Sequence, residues 1–140
     1  MNTAPDRTLA HGGCLCRAVT FVVGAASKWC AHCHCSVCRR AHGAGFVTWL
    51  GCVEDAVRID DSEEMLRWFR SSPEAERGFC GRCGSTLFFR SGRWPGELHI
   101  AYGNLDDRAD RVPQAHVFWE SHVDWIELAD DLPRRTSTES

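Results

Sequence analysis

The sequence predicts a mainly β, single-domain protein of antiparallel strands with little helix. Three observations carry this. Short runs rich in β-branched and aromatic residues recur along the middle of the chain. Turn-forming residues punctuate them, at Gly24, Ser71-Ser72-Pro73, Gly92 to Gly96 and Gly103 to Asp110. The 140 residues suit one domain, and no internal repeat or low-complexity block divides them.

Taken in order, residues 1–11 read as a frayed N-terminus, 12–133 as the domain and 134–140 as a polar tail. Residues 18–23 (AVTFVV) form the first expected strand, ended by Gly24. Residues 46–50 (FVTWL) have the same character and end at Gly51, and 57–60 (VRID) alternate apolar and polar. The short apolar run 65–70 (MLRWFR) suits strand or helix. Strands are expected again at 85–90 (STLFFR), 97–102 (ELHIAY), 116–119 (HVFW) and 123–128 (VDWIEL). Helical turns fit only at 36–44 and at 61–66.

Composition narrows the function classes. Hydrophobic residues make up 44% and charged residues 25%, an ordinary globular balance. No apolar run reaches the ~18 residues that span a bilayer. The first twenty residues lack the apolar centre of a signal peptide. Neither membrane insertion nor secretion is expected, and a cytoplasmic location is. Residues 1–70 carry 8 basic and 7 acidic groups, and residues 71–140 carry 8 and 12. Neither half is a basic platform, so nucleic acid is not an expected partner.

Cysteine is the unusual residue, with nine in the chain. Without an export signal, that density points to metal binding or thiol chemistry rather than disulfides. Seven fall into three motifs: Cys14-Leu15-Cys16, Cys33-His34-Cys35-Ser36-Val37-Cys38 and Cys80-Gly81-Arg82-Cys83-Gly84. The last is a zinc knuckle, because two thiolates three positions apart in a tight turn can reach one ion at about 2.3 Å. It supplies two of four tetrahedral ligands. Cys14 and Cys16 face one side of an extended strand and can supply the other two. Four thiolates at 14, 16, 80 and 83 would fill the coordination sphere and mark a structural zinc. Four separately buried cysteines are the plainer alternative.

The middle motif offers three thiolates, Cys33, Cys35 and Cys38. Three protein ligands with one open position is the pattern of a catalytic zinc. If residues 29–33 are extended, Trp29, Ala31 and Cys33 share a face and Cys30 points away from the ion. A turn there would instead let Cys30 close a four-thiolate site. His34 and His42 are near enough to be ligands or to hydrogen-bond to them, and both stay unassigned. Arg39 or Arg40 could hold a substrate carboxylate, though a charged pair after a turn is more often simply solvated. His116 reads as a packing or hydrogen-bonding group more than a proton shuttle, and Cys52 as a buried inert thiol.

These motifs, with Gly12-Gly13, Arg17-Ala18-Val19, Arg39-Arg40, Gly43-Ala44-Gly45 and Tyr102-Gly103-Asn104-Leu105-Asp106-Asp107, then Pro113, His116 and Trp125, resemble the glutathione-dependent formaldehyde-activating enzyme family, which includes centromere protein V. The resemblance covers roughly residues 12–133. It implies a β-tent fold of antiparallel sheets pinched at one end by a structural zinc on Cys14, Cys16, Cys80 and Cys83. It implies a catalytic zinc on Cys33, Cys35 and Cys38, hence two zinc ions per chain. The implied activity is a carbon–sulfur lyase reaction joining or cleaving glutathione, or a similar thiol, and formaldehyde, or a similar small aldehyde. Two other classes compete: a non-catalytic zinc-stabilised binding module, and a redox protein like methionine sulfoxide reductase that uses Cys30 or Cys52.

Overall fold

Strand pairing gathers residues that are far apart in sequence into two sheets. The structure is a computed structural model that describes residues 8–139. β1 (Ala10–Gly13), β2 (Thr20–Val23) and β5 (Val57–Asp60) form a three-stranded antiparallel sheet in the order β1-β2-β5. The second sheet has seven strands: β3 (Trp29–Cys33), β4 (Val47–Val53), β6 (Leu66–Ser72), β7 (Ala75–Cys80), β8 (Thr86–Ser91), β9 (Glu97–Ala101) and β10 (His116–Val117). Their order is β10-β3-β4-β9-β8-β7-β6. Every pair is antiparallel except β10 with β3. The α-helix among the described residues is α1 (Ser36–His42), between β3 and β4. This is the mainly β, helix-poor antiparallel architecture that the sequence predicts.

The main core lies between the sheets. Phe21 and Val23 of β2 meet Cys30 of β3, Leu50 and Cys52 of β4, and Leu98 and Ile100 of β9. Phe88 packs edge-on to Phe21 at 5.5 Å. Strand alternation sends the intervening residues to the other face of the large sheet. One register row crosses five strands there: Trp29, Gly51, His99, Phe89 and Arg77. A β-bulge in β8 places Leu87 between the partners of Gly78 and Phe79. Leu87 and Phe88 are therefore both buried, although they are neighbours.

Several local expectations are corrected. Ala10 and His11, expected in a frayed end, pair with Val23 and Val22 in β1; residues 1–7 lie outside the described residues. Residues 61–66 are not helical. Asp61 accepts from the Met65 and Leu66 N–H groups at 2.8 and 3.1 Å, and Glu64 takes a positive φ of 55°. A left-handed residue interrupts the helical path, so residues 66–70 join strand β6. Phe118, with φ 55°, ends β10 two residues earlier than expected. Residues 123–128 form no strand. Their apolar side chains instead cover the α1–β4 connection, where Ile126 fills the space that a side chain at Gly45 would need. Residues 134–135, expected in a polar tail, pair alongside β10, through the Arg134 bridge to His116 and an Arg135 N–H···O=C His116 bond.

Gly51 lies beneath the Trp29 indole, and an added Cβ would sit inside that ring system. Gly51→Ala is expected to force Trp29 out of place and to lower stability by about 1–3 kcal/mol, read as a fall in thermal midpoint with loss of near-ultraviolet tryptophan dichroism.

Candidate functional site

The first cysteine cluster joins the two sheets. Cys14 follows β1, and its N–H donates to the Val19 carbonyl at 2.9 Å. Arg17 takes a positive φ of 67° in the tight turn that returns the chain to β2. Cys80 ends β7. The Gly84 N–H donates to the Cys80 carbonyl at 2.8 Å, and Gly84 has a φ of 78° that suits glycine. Cys14, Cys16, Cys80 and Cys83 thereby place all four Sγ atoms within 4.8 Å of one another. Cys14 and Cys16 sulfurs are 3.7 Å apart, and Cys16 and Cys80 sulfurs 3.8 Å. A tetrahedral ion with 2.3 Å metal–sulfur bonds has sulfurs about 3.8 Å apart. The donor set therefore fits zinc. Backbone N–H groups of Val19 and Arg82 point at the Cys14 and Cys80 sulfurs at 3.3 and 3.4 Å. Against the cost of burial, contact with the Ser85 hydroxyl and its neighbours brings the Cys83 thiol down to about 5.

The second cluster gathers Cys33, Cys35 and Cys38, again within 4.8 Å. Cys33 ends β3. Cys35 is the N-cap of α1 and its sulfur accepts from the Cys38 N–H at 3.3 Å. Cys38 sits in the first helical turn. Hydrogen bonds from Cys33 and Cys35 hold the Cys38 thiol far below its ordinary value, and the same contacts push Cys33 up. Three sulfurs this close cannot all carry charge unless a cation balances them. The trio fits a metal ion with three protein ligands.

β3 is extended, so Cys30 faces the inter-sheet core while Cys33 faces the trio. Cys52 is also in that core. Burial pushes both thiols up to about 12. A thiol with so little thiolate, and no exposure, is unsuited to redox chemistry. Neither His34 nor His42 belongs to either cysteine group. His42 shares a hydrogen bond with the Thr86 hydroxyl at 2.9 Å. His34 Nε2 meets His116 Nδ1 at 2.8 Å, and His116 Nε2 meets the Asp130 carboxylate at 3.0 Å. An acceptor at Asp130 assigns the His116 proton to Nε2, so His116 Nδ1 accepts from His34. Burial, then the neighbouring His116, lowers His34 to about 4. This hydrogen-bonded chain anchors the trio's loop to β10.

The trio opens on a cavity of about 520 Å³ on the outer face of the large sheet. Its walls are mainly apolar and include Trp29, Trp49, Phe89, Trp94 and Phe118. Glu97 and His99 line one side and pair at 2.9 Å, while Lys28 meets Glu97 at 2.7 Å. Neither Arg39 nor Arg40 lines the cavity; Arg40 sits in a groove across α1. The arginine at the trio is Arg77 of β7. Its Nη2 donates to the Cys38 sulfur at 3.6 Å, and its guanidinium lies 4.7 Å from the Phe89 ring centre. Arg77 Nε and Nη1 are buried without a hydrogen-bond partner. The sequence signal for Arg77 was slight: it lies three residues before the knuckle, in a strand with few β-branched residues.

Fold and clusters together define a class: a β-sheet protein with two thiol groupings that could hold metal ions, one of them opening on a cavity. Residues 9–121 match the model of the glutathione-dependent formaldehyde-activating enzyme family. The chain is 32% identical over 128 residues to a Halomonas elongata protein named "Putative glutathione-dependent formaldehyde-activating enzyme", covering 86% of this chain and 81% of that one. It is 32% identical over 79 residues, 56% of each chain, to an uncharacterized lyase of Schizosaccharomyces pombe. A crystal structure of a Rhodobacter sphaeroides protein shares the fold, with TM-score 0.60 at 24% identity, covering 74% of this chain and 97% of that one. The chain belongs to the glutathione-dependent formaldehyde-activating enzyme family. Membership supports an enzyme. No helix among the described residues is long and apolar enough to cross a membrane.

Metal-coupled folding contributes on the order of 10 kcal/mol in thiolate zinc sites, comparable to a domain's whole stability. Cys14→Ser and Cys80→Ser are each expected to give poorly soluble protein or a much lower thermal midpoint. Cys30→Ala is expected to leave metal content unchanged by atomic absorption. In the folded protein Cys30 and Cys52 should resist alkylation at pH 8, well below their raised values, as mass spectrometry of labelled peptides would show.

Proposed function

We propose that this chain is a zinc-dependent enzyme of the carbon–sulfur lyase type, which reversibly joins a glutathione-like thiol to a small aldehyde such as formaldehyde. In this reading Cys14, Cys16, Cys80 and Cys83 hold a structural zinc, and Cys33, Cys35 and Cys38 hold a catalytic one. The observation that carries it is the trio at the cavity wall: three sulfurs close enough to share one metal ion, beside a guanidinium whose Nε and Nη1 are buried without a hydrogen-bond partner.

Zinc bound there supplies a Lewis-acidic centre with a coordination position for an exogenous sulfur, and keeps that sulfur ionised near neutral pH. The remaining work falls to the chain. Cys33, Cys35 and Cys38 arrive on the end of β3 and the start of α1, so their spacing is set by rigid elements. The apolar walls lower the local dielectric, which strengthens charge interactions beside them. In the joining direction the substrate sulfur forms a bond to the aldehyde carbon, the carbonyl π pair moves to oxygen, and that oxygen takes the proton the thiol released. Cleavage reverses each step. Arg77 Nε and Nη1 donate to the oxygen as its charge develops; such fixed donors contribute most in a dry site. Burial lowers His99 and keeps its ring neutral, so with Glu97 it forms a wall of the cavity.

The test mixes zinc-loaded protein with glutathione and carbon-13 formaldehyde and follows adduct exchange by NMR. Wild type should accelerate exchange. Cys35→Ser should lose about one zinc per chain and the acceleration, while remaining folded. Arg77→Gln should retain both zinc ions and slow exchange by about 10²–10³-fold. No acceleration by wild type with glutathione or a panel of thiols and aldehydes would replace the enzyme with a zinc-stabilised binding module.

A further inference from the structure

A second arginine reaches the cavity from the far end of the chain, beyond the family-matched residues 9–121. Residues 133–135 lie along β10 and 137–139 follow in a turn, together forming a strap. The His116 N–H donates to the Pro133 carbonyl at 2.8 Å, the Arg135 N–H to the His116 carbonyl at 2.8 Å, and the Trp119 N–H to the Arg135 carbonyl at 2.9 Å. Neighbouring residues of an extended segment face opposite sides. Arg134 donates to Asp130 at 3.0 Å and lies over the Trp119 ring. Arg135 instead lines the cavity, with Glu139.

The strap is fixed at its other end too. Arg93 donates to the Ser137 carbonyl at 2.9 Å, and the Ser137 N–H donates to the Glu120 carboxylate at 3.0 Å. The Glu139 Oε1 accepts from the Thr136 N–H at 2.8 Å. A cation and an anion within electrostatic reach of each other thus line the cavity from one built segment, away from Arg77 and Glu97 of the sheet. That pair complements a group carrying a carboxylate and an ammonium on one carbon, the zwitterionic head of an amino acid. A guanidinium takes a carboxylate through two parallel hydrogen bonds.

We propose that Arg135 and Glu139 are specificity-determining residues that hold the α-amino-acid head of a peptide thiol, with its sulfur directed to Cys33, Cys35 and Cys38. This rests on the cavity being the thiol site.

The test uses zinc-loaded full-length protein and two ligands that cannot form a thiolate: S-methylglutathione, and S-methylcysteinylglycine, which lacks the γ-glutamyl head. Binding is read from the fluorescence of the cavity tryptophans, independently of turnover. Wild type should bind S-methylglutathione about tenfold more tightly, the size of one charge-assisted contact. Arg135→Gln should remove the difference, Arg135→Lys should restore part of it, and Glu139→Gln should reduce it. Arg135 is exposed, so the Gln variant should melt as wild type does. Equal binding of the two ligands by wild type, no binding of either, or equal weakening of both in Arg135→Gln would overturn the proposal. Discrimination without accelerated exchange would refute the enzyme and leave the head-group site standing; exchange without discrimination would do the reverse.

Discussion

Mutual repulsion among closely held sulfurs is the constraint on which this structure turns. Seven of nine cysteines lie in two groups whose ligand atoms fall within 4.8 Å. Such groups persist only if charge is balanced, by shared protons or by a cation. The first group takes its members from the end of β1 and from the β7–β8 turn, one in each sheet. It therefore closes the gap between the sheets at one end, while Phe21, Leu50, Ile100 and Phe88 fill the rest. The second group is local, and depends on β3 ending where α1 begins.

Alternation along β3 separates two uses of cysteine within four residues. Cys30 contributes to the apolar core as a small, inert side chain, and Cys33 contributes a sulfur to the cavity. The same alternation operates in β4 and β9, where Leu50, Leu98 and Ile100 serve the core and Trp49, His99 and Glu97 serve the opposite face. One sheet thus supports packing on one side and chemistry on the other.

Much of this was legible in the sequence. The cysteine spacing alone placed seven cysteines in the same two groups in which the structure brings their sulfurs together, because CxC, CxCxxC and CxxC are local geometries. Strands β2, β4, β5, β8 and β9 carried apolar or β-branched residues that signal half-buried strands. β1, β3 and β7 carried less: their glycines, histidine, arginine and cysteines are strand residues by pairing, not by propensity. For the same reason Arg77 escaped notice, since only the register row from Trp29 across to β7 brings it to Cys38. The 123–128 segment misled in the opposite way. Its alternating apolar residues fit a strand, but they pack over Gly45 instead.

The large sheet also has a boundary problem, and its two ends solve it differently. At one end β10 and the residues beside it cover β3, so no long row of unpaired backbone groups remains there. At the other, β6 is open, and Phe69 on it is 63% exposed. A flat open strand is a template for pairing with another chain. Here the register slips between Arg70 and Ser72, and Arg67 and Arg70 curl back onto carbonyls of Glu64 and Pro73. Local irregularity and positive charge thus discourage a second molecule from continuing the sheet, leaving growth of the sheet opposed on the side where the fold itself provides no cover.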